Sequence, residues 1–286
     1  MKPPVRKTLH LSEIELSYLE WKPGTEQENQ PRLLLLHGLA DSAVVWSSLG
    51  NNLATHYHII APDLRGHGES SKPDTGYSFQ QVIADLEALM SRLNWQSAHI
   101  LGHSWAGKLN TLWAREKPER FCSMILVDPI FITKMPRVFK LTLPILYRKL
   151  DCLKCMGPFA SYQQAELLAQ QLGQYAGWSE LQQAVFHSNM EQKPNGSWGS
   201  KFGIPARNQM FEEVMEVAGL TEPINVPTLF IQPQRGVNRM AWQMQPYKTY
   251  LKGLKIERVP GNHWAFLVEP EAFNQTVVKF LEVQGS

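Results

Sequence analysis

The sequence predicts an α/β protein, a doubly wound and mostly parallel sheet interrupted by a mainly helical insertion. Three observations carry this. Short unbroken apolar runs recur along the chain, each ended by a turn pair, as strands buried on both faces require. Helical stretches lie between them, which is the alternation of a parallel sheet. The alternation lapses between Thr133 and Thr221 and then resumes.

The elements follow in order. Two alternating runs, Leu9/Leu11 and Ile14/Leu16/Tyr18, are broken at Ser12-Glu13 and predict an opening hairpin. Polar residues from Pro23 to Gln30 predict a surface loop. Leu33–Leu36 is too short for a helix and stops at His37-Gly38, so it reads as a buried strand. His58–Ala61, Ala98–Leu101 and Met124–Val127 repeat the pattern, running into Pro62-Asp63, Gly102 and Asp128-Pro129. Trp46, Leu49 and Leu53 mark a helix. Ser78 with Gln81 three residues on is a capping box, opening a helix through Val82, Leu86, Leu89 and Leu93. A third helix follows Ser104 and ends near Pro118.

Within the lapse, Tyr162–Tyr175 and Leu181–Met190 predict helices, and Asn195-Gly196 predicts a turn flanked by Trp198 and Phe202. Thr228–Ile231 restores the strands. A helix through Trp242–Tyr250, a strand Ile256–Val259 and a closing helix near Phe273–Leu281 complete the chain. The expected division is a core over 1–132, a helical cap over 133–221 and the rest of the core over 222–286. No internal repeat or low-complexity tract is evident.

Bulk properties narrow the function classes. With 286 residues, 43% hydrophobic and 19% charged, the chain has the composition of an ordinary globular protein able to bury a large core. A net charge of +2 offers no concentrated basic face for nucleic acid. Nine Trp is a high count, suited to core filling and to apolar pockets. Three Cys, at 122, 152 and 155, have no framework spacing and predict reduced thiols in a cytoplasmic compartment. Cys152 and Cys155 form a C-x-x-C, but no second pair exists to complete a zinc site and no strand precedes it as in a redox motif. No metal or cofactor is expected. Met1–Lys7 is basic without an apolar signal core after it, and no apolar run is long enough to span a bilayer.

The chemistry concentrates at Gly102-His103-Ser104-Trp105-Ala106-Gly107, between a predicted strand and a predicted helix. A serine on such a turn stands above the carboxyl ends of the strands, and small residues two before and two after let the turn close. Here these are Gly102 and Ala106, with Ala in place of the usual second Gly. Three further motifs sit at strand ends: Leu36-His37-Gly38-Leu39, Asp63-Leu64-Arg65-Gly66-His67-Gly68-Glu69-Ser70 and Gly261-Asn262-His263-Trp264.

With these four motifs in order, the chain resembles the α/β-hydrolase family over nearly all its length outside the cap. Pro194–Trp198 also looks like a cap hairpin of cofactor-free members. The resemblance implies Ser104 as nucleophile, His263 as base, and the backbone N–H groups of Leu39 and Trp105 as the oxyanion hole. It makes Asp63, Arg65 and His67 mainly a structural turn, and His37 a brace for the oxyanion loop. The family commonly places its acid in a Gly-x-x-Asp after the strand Thr228–Ile231. This chain has Pro233-Gln234-Arg235-Gly236-Val237-Asn238 there, without a carboxylate. Some members carry the acid at the end of the strand after the nucleophile helix, which makes Asp128 the candidate. Two alternatives stay open: Asp128-Pro129 as an ordinary turn pair, and Asn238 as a weak orienter.

Asp41 and Ser42 read as helix-capping residues, Trp46 as core, and Trp105 as both oxyanion donor and pocket wall. In the cap, Phe139–Lys149 is apolar with basic punctuation, and reads either as a helix packed on the core or as a contact for an acyl chain or membrane lipid. Trp178, Trp198, Phe202 and Met210 are candidates for lining an apolar pocket. The expected activity is hydrolysis of a hydrophobic carboxylic ester through an acyl-enzyme on Ser104. Thioesterase, lactonase, lipase and carbon–carbon hydrolase chemistry share that machinery, and a non-catalytic ligand-binding protein is the rival from another class. A serine at 104 argues against dehalogenase and epoxide-hydrolase chemistry, which use a carboxylate nucleophile in this fold.

Overall fold

The computed structural model describes residues 3–24 and 30–284, and within the cap not the side chains of Arg137, Phe139, Lys140 and Leu146. The middle of the predicted loop Pro23–Gln30 and the first two residues of the basic start lie outside the described residues.

Among the described residues ten strands form: β1 (Val5–His10), β2 (Glu15–Trp21), β3 (Arg32–Leu36), β4 (His58–Pro62), β5 (Ala98–His103), β6 (Phe121–Val127), β7 (Met190–Gln192), β8 (Trp198–Ser200), β9 (Ile224–Arg235) and β10 (Leu251–Asn262). The helices are α1 (Ser47–Leu53), α2 (Phe79–Arg92), α3 (Trp105–Glu116), α4 (Leu143–Lys149), α5 (Asp151–Lys154), α6 (Tyr162–Ala169), α7 (Glu180–Asn189), α8 (Ile204–Glu216), α9 (Ala241–Tyr250), α10 (Ala265–Val268) and α11 (Pro270–Gln284). Eight strands make one sheet in the order β1-β2-β4-β3-β5-β6-β9-β10. β1, β2 and β4 pair antiparallel, and every pair from β4 to β10 is parallel.

The apolar runs are unbroken because both faces are covered. Leu34, Leu36, Ile60, Ile100, Met124, Leu126 and Phe230 pack on one side with Val82, Leu86 and Leu89 of α2 and Leu109 of α3. Their sequence neighbours Leu33, Leu35, Ile59, Leu101, Ile125, Leu229 and Ile231 pack on the other, with Leu49 and Leu53 of α1 and Val277 and Leu281 of α11. Successive strand side chains point to opposite faces, so a strand between two helical layers must be apolar at every position. α2 begins with the predicted capping box, Ser78 accepting from the Gln81 N–H.

Between β6 and β9 the sheet is interrupted by α4–α8 and the small antiparallel hairpin β7–β8, which turns at Gly196 with φ of 83°. The predicted helix Tyr162–Tyr175 is shorter than expected: α6 ends at Ala169, and a 3-10 turn, Gly173–Tyr175, follows. Leu172 and Tyr175 are buried there, so tertiary packing takes these residues out of helical register. Among the described residues no helix is long and apolar enough to cross a membrane.

Candidate active site

The parallel strands run β4-β3-β5-β6-β9-β10, so the chain steps from β3 to one side and then crosses back to the other. Loops after β3 and β5 therefore diverge, and the crevice between their carboxyl ends is where doubly wound sheets bind ligands. Ser104 follows β5 at that point. Its backbone is at φ 56° and ψ −113°, a conformation L-residues rarely adopt. Close packing holds it. A Cβ on Gly102 would stand 2.5 Å from the Ala106 carbonyl oxygen, one on Gly107 2.9 Å from Pro129 Cγ, and one on Gly38 2.7 Å from His103 Nδ1. The close approaches fall on Gly102, Gly38 and Gly107, while position 106 holds a fully buried alanine.

Ser104, His263 and Asp128 meet. His263 Nε2 lies 2.9 Å from Ser104 Oγ, and His263 Nδ1 lies 2.7 Å from Asp128 Oδ2. The loop after β9 supplies no carboxylate. Instead it supplies donors to one: the Val237 N–H reaches Asp128 Oδ2 at 2.8 Å, and the Asn238 N–H and side-chain amide reach Oδ1 at 3.1 and 2.9 Å. Asn238 Nδ2 also donates to the Pro129 carbonyl at 2.6 Å. Asn238 thus donates to the aspartate, where the alternative reading has it orienting the histidine directly. Gly236 allows this close seat, since a Cβ there would lie 2.5 Å from Asp128 Oδ2. Burial acts to raise the Asp128 carboxyl, but the His263 ring, the Val237 N–H and the Asn238 amide outweigh it and hold it below the ordinary range.

The backbone on the oxyanion side is arranged from two elements. Trp105 is the first residue of α3, where an amide has no intrahelical acceptor, and Leu39 lines the pocket beside Ser104. The Trp105 side chain is not a pocket wall, contrary to expectation: its indole is fully buried and stacks on Phe79 at 4.8 Å. The pocket measures about 250 Å³, and Leu39, Ile130, Leu150, Phe211, Val237 and Trp264 contribute its apolar lining around Ser104 and His263. None of Trp178, Trp198, Phe202 or Met210 lines it, which corrects that expectation too. Phe202 stacks on His67 at 4.3 Å, Trp178 packs against Phe186, Trp198 against Tyr162, and Met210 is buried in the core. Trp178 and Trp198 complete the cap's own packing and Phe202 and Met210 join it to the core, while Phe211, one residue on from Met210, lines the pocket. Cap membership does not tell which side of a helix looks inward.

The surrounding polar side chains brace the site. His37 accepts the Leu64 N–H at 3.0 Å through Nε2 and donates from Nδ1 to the Gly38 carbonyl at 2.7 Å. His103 donates from Nε2 to the carbonyl of His263 at 2.9 Å, tying the Ser104 turn to the histidine loop. Burial, then the nearby His263, pushes His103 well below the ordinary histidine range and keeps it neutral. Asp63 accepts from Arg6, Ala43 N–H and Glu69 N–H, and Arg65 grips Asp85 at 2.7 and 2.8 Å. It is Asp63 that caps the turn starting at Ala43. Ser42 makes no side-chain cap bond and Asp41 Oδ2 faces His103 Nδ1 at 4.0 Å, so neither caps as expected. Burial pushes the Asp41 carboxyl up to about 7. Cys122, Cys152 and Cys155 are free thiols. Burial raises Cys152, which lines the pocket, and pushes Cys155 up to about 12, so neither supplies a thiolate readily.

Residues 31–270 match the family model described as α/β hydrolase fold. The chain is 35% identical over 103 residues to the soluble epoxide hydrolase of a Corynebacterium species, covering 36% of this chain and 34% of that protein. It is 23% identical over 257 residues to the mouse sn-1-specific diacylglycerol lipase ABHD11, covering 88% and 81%. The matched stretch spans about a third of the length of several of the curated relatives, 30% to 34%. Among solved structures, E-2-(acetamidomethylene)succinate hydrolase superposes with a TM-score of 0.79 at 20% identity, over 98% of this chain and 99% of that one, a likeness of fold. The chain belongs to the α/β-hydrolase fold family.

Proposed function

We propose that the protein is a serine hydrolase of carboxylic esters with an apolar acyl group. One observation carries this: a single imidazole bridges Ser104 Oγ at 2.9 Å and a buried carboxylate at 2.7 Å. His263 takes the Ser104 proton as Oγ attacks the ester carbonyl, and the N–H groups of Leu39 and Trp105 hold the oxyanion. The imidazolium then protonates the departing alcohol, leaving an acyl-enzyme. Water deprotonated by His263 attacks the acyl carbon, and Ser104 leaves with the acid released.

The epoxide hydrolase and the diacylglycerol lipase among the relatives point to different bonds. The hydroxyl at 104 favours acyl transfer over the carboxylate-nucleophile chemistry of epoxide opening. A non-catalytic role drew its support from the missing carboxylate after β9, and Asp128 beside His263 removes that support. A pocket of about 250 Å³ lies at the small end of ligand sites, which favours short or medium acyl groups.

Labelling with a fluorophosphonate, followed by peptide mass spectrometry, tests the proposal. Modification of Ser104 that disappears in His263→Ala is expected. An unlabelled, folded protein would overturn it. A panel of p-nitrophenyl esters of graded chain length then reads the acyl preference.

A further inference from the structure

Between Thr133 and Leu150 the chain carries five Lys or Arg and no Asp or Glu, although its net charge is only +2. The rest of the chain is therefore net acidic. This stretch forms a 3-10 turn, Arg137–Thr142, running into α4. Its inward side is satisfied: Leu143 is buried, and the Tyr147 ring meets Phe211 edge-on at 5.2 Å beneath the Arg207 guanidinium. Yet Val138, Leu141 and Ile145 are 64%, 80% and 63% exposed. Spacings of three and four place them along one face of a helical run, and that face is left exposed among the described residues. The segment thus packs on the core through one side and holds large apolar side chains in water on the other.

The charges around that face are available. Lys134, Arg148 and Lys149 are exposed, and none forms an ion pair among the described residues. Lys149 also lines the pocket that holds Ser104, as does Val237, itself 42% exposed. A protruding apolar row, unpaired cations and the pocket mouth therefore share one region. A second copy of the chain would bring two strongly basic segments together, whereas an anionic lipid surface matches both the charge and the apolar row.

We propose that this face docks on an anionic bilayer. Val138, Leu141 and Ile145 enter the headgroup boundary, Lys134 and Arg148 meet lipid phosphates, and the pocket opens beside the lipid. That the pocket then acts on an ester rests on the function proposed above, but docking itself does not.

The test uses the full chain carrying Ser104→Ala, so that no lipid is consumed, in flotation with two kinds of vesicle. Binding to phosphatidylcholine vesicles containing phosphatidylglycerol is expected to exceed binding to pure phosphatidylcholine by about tenfold, and to fall with added salt. Adding Leu141→Glu with Ile145→Glu should abolish flotation. With Ser104 restored, the double variant should keep its kcat/KM on a soluble short ester, which shows that it folds. Absence of binding to anionic vesicles, or undiminished binding by the double variant, would overturn docking. So would a parent dimer that the double variant converts to monomer in light scattering, since a second copy would then cover the face. Vesicle binding without fluorophosphonate labelling would leave docking standing and remove only the hydrolase proposal.

Discussion

Asp128 holds its place on a backbone with φ at 43°, an uncommon conformation that Asp tolerates better than most residues. Four contacts justify it: the base, two amides of the loop after β9 and the Asn238 side chain. An asparagine there would offer its NH₂ to His263 Nδ1 and favour the tautomer that cannot accept the Ser104 proton. Asp128→Asn is therefore expected to lower kcat on a soluble ester by about 10⁴-fold, with melting temperature checked in parallel. Asn238→Ala removes one of the three donors from the loop after β9 and leaves the acid, so its loss in kcat should be far smaller. Equal losses in the two variants would show that the loop amide, not the carboxylate, is the limiting partner.

The extension of β9 to Arg235 brings Gly236-Val237-Asn238 over the end of β6. Gly236→Ala places a methyl where Asp128 now sits, within 2.5 Å of Oδ2. Displacing the acid by a fraction of an ångström should reduce kcat by up to about 10²-fold, readable in steady-state kinetics. A second junction joins α3 to the cap. Lys108, fully buried, donates to the Phe131 carbonyl at 2.5 Å and to the Val214 carbonyl of α8 at 2.6 Å. Burial lowers its pKa to about 7 from an ordinary 10.5. Between those values the unfolded chain holds the proton and the folded chain does not, so stability rises with pH across that window. Urea unfolding at pH 7 and 9.5 should show a gain of up to about 3 kcal/mol in the parent, and Lys108→Met should flatten it.

At the scale of the whole molecule, an antiparallel edge of β1 and β2 closes the sheet beside β4. Glu20, buried on β2, is held by Lys7 of β1 and by His58 Nε2 of β4 at 2.8 Å. Burial alone would raise it, but these partners lower it to about 2 from 4.5. Its contribution is present above about 4.5 and is lost as pH falls through about 2. It amounts to about 3 kcal/mol at neutral pH. Acid titration of the parent against Glu20→Gln, followed by circular dichroism, should show the parent losing stability in that window and the variant losing less. Identical acid curves would mean that the hairpin edge does not limit global unfolding.

The fold and the turn that carries Ser104 were legible because they depend on local, short-range chemistry. The run Leu33–Leu36 is apolar at every position, and only a strand covered on both faces needs that. Gly102, Ser104 and Ala106 sit at the spacing that a strained turn requires, and that turn is set by a few neighbouring residues. The acid and the pocket lie at the other extreme. Asp128 and His263 are 135 residues apart, and what makes the aspartate a partner is the parallel pairing of β6 with β9, with Asn238 brought over its carboxylate. Phe211 rather than Met210 faces the pocket because of the rotation of α8, which amphipathic spacing defines only to within a face. Likewise the row Val138, Leu141 and Ile145 shows in sequence only as apolar residues. Solvent exposure is decided by what the rest of the chain leaves uncovered.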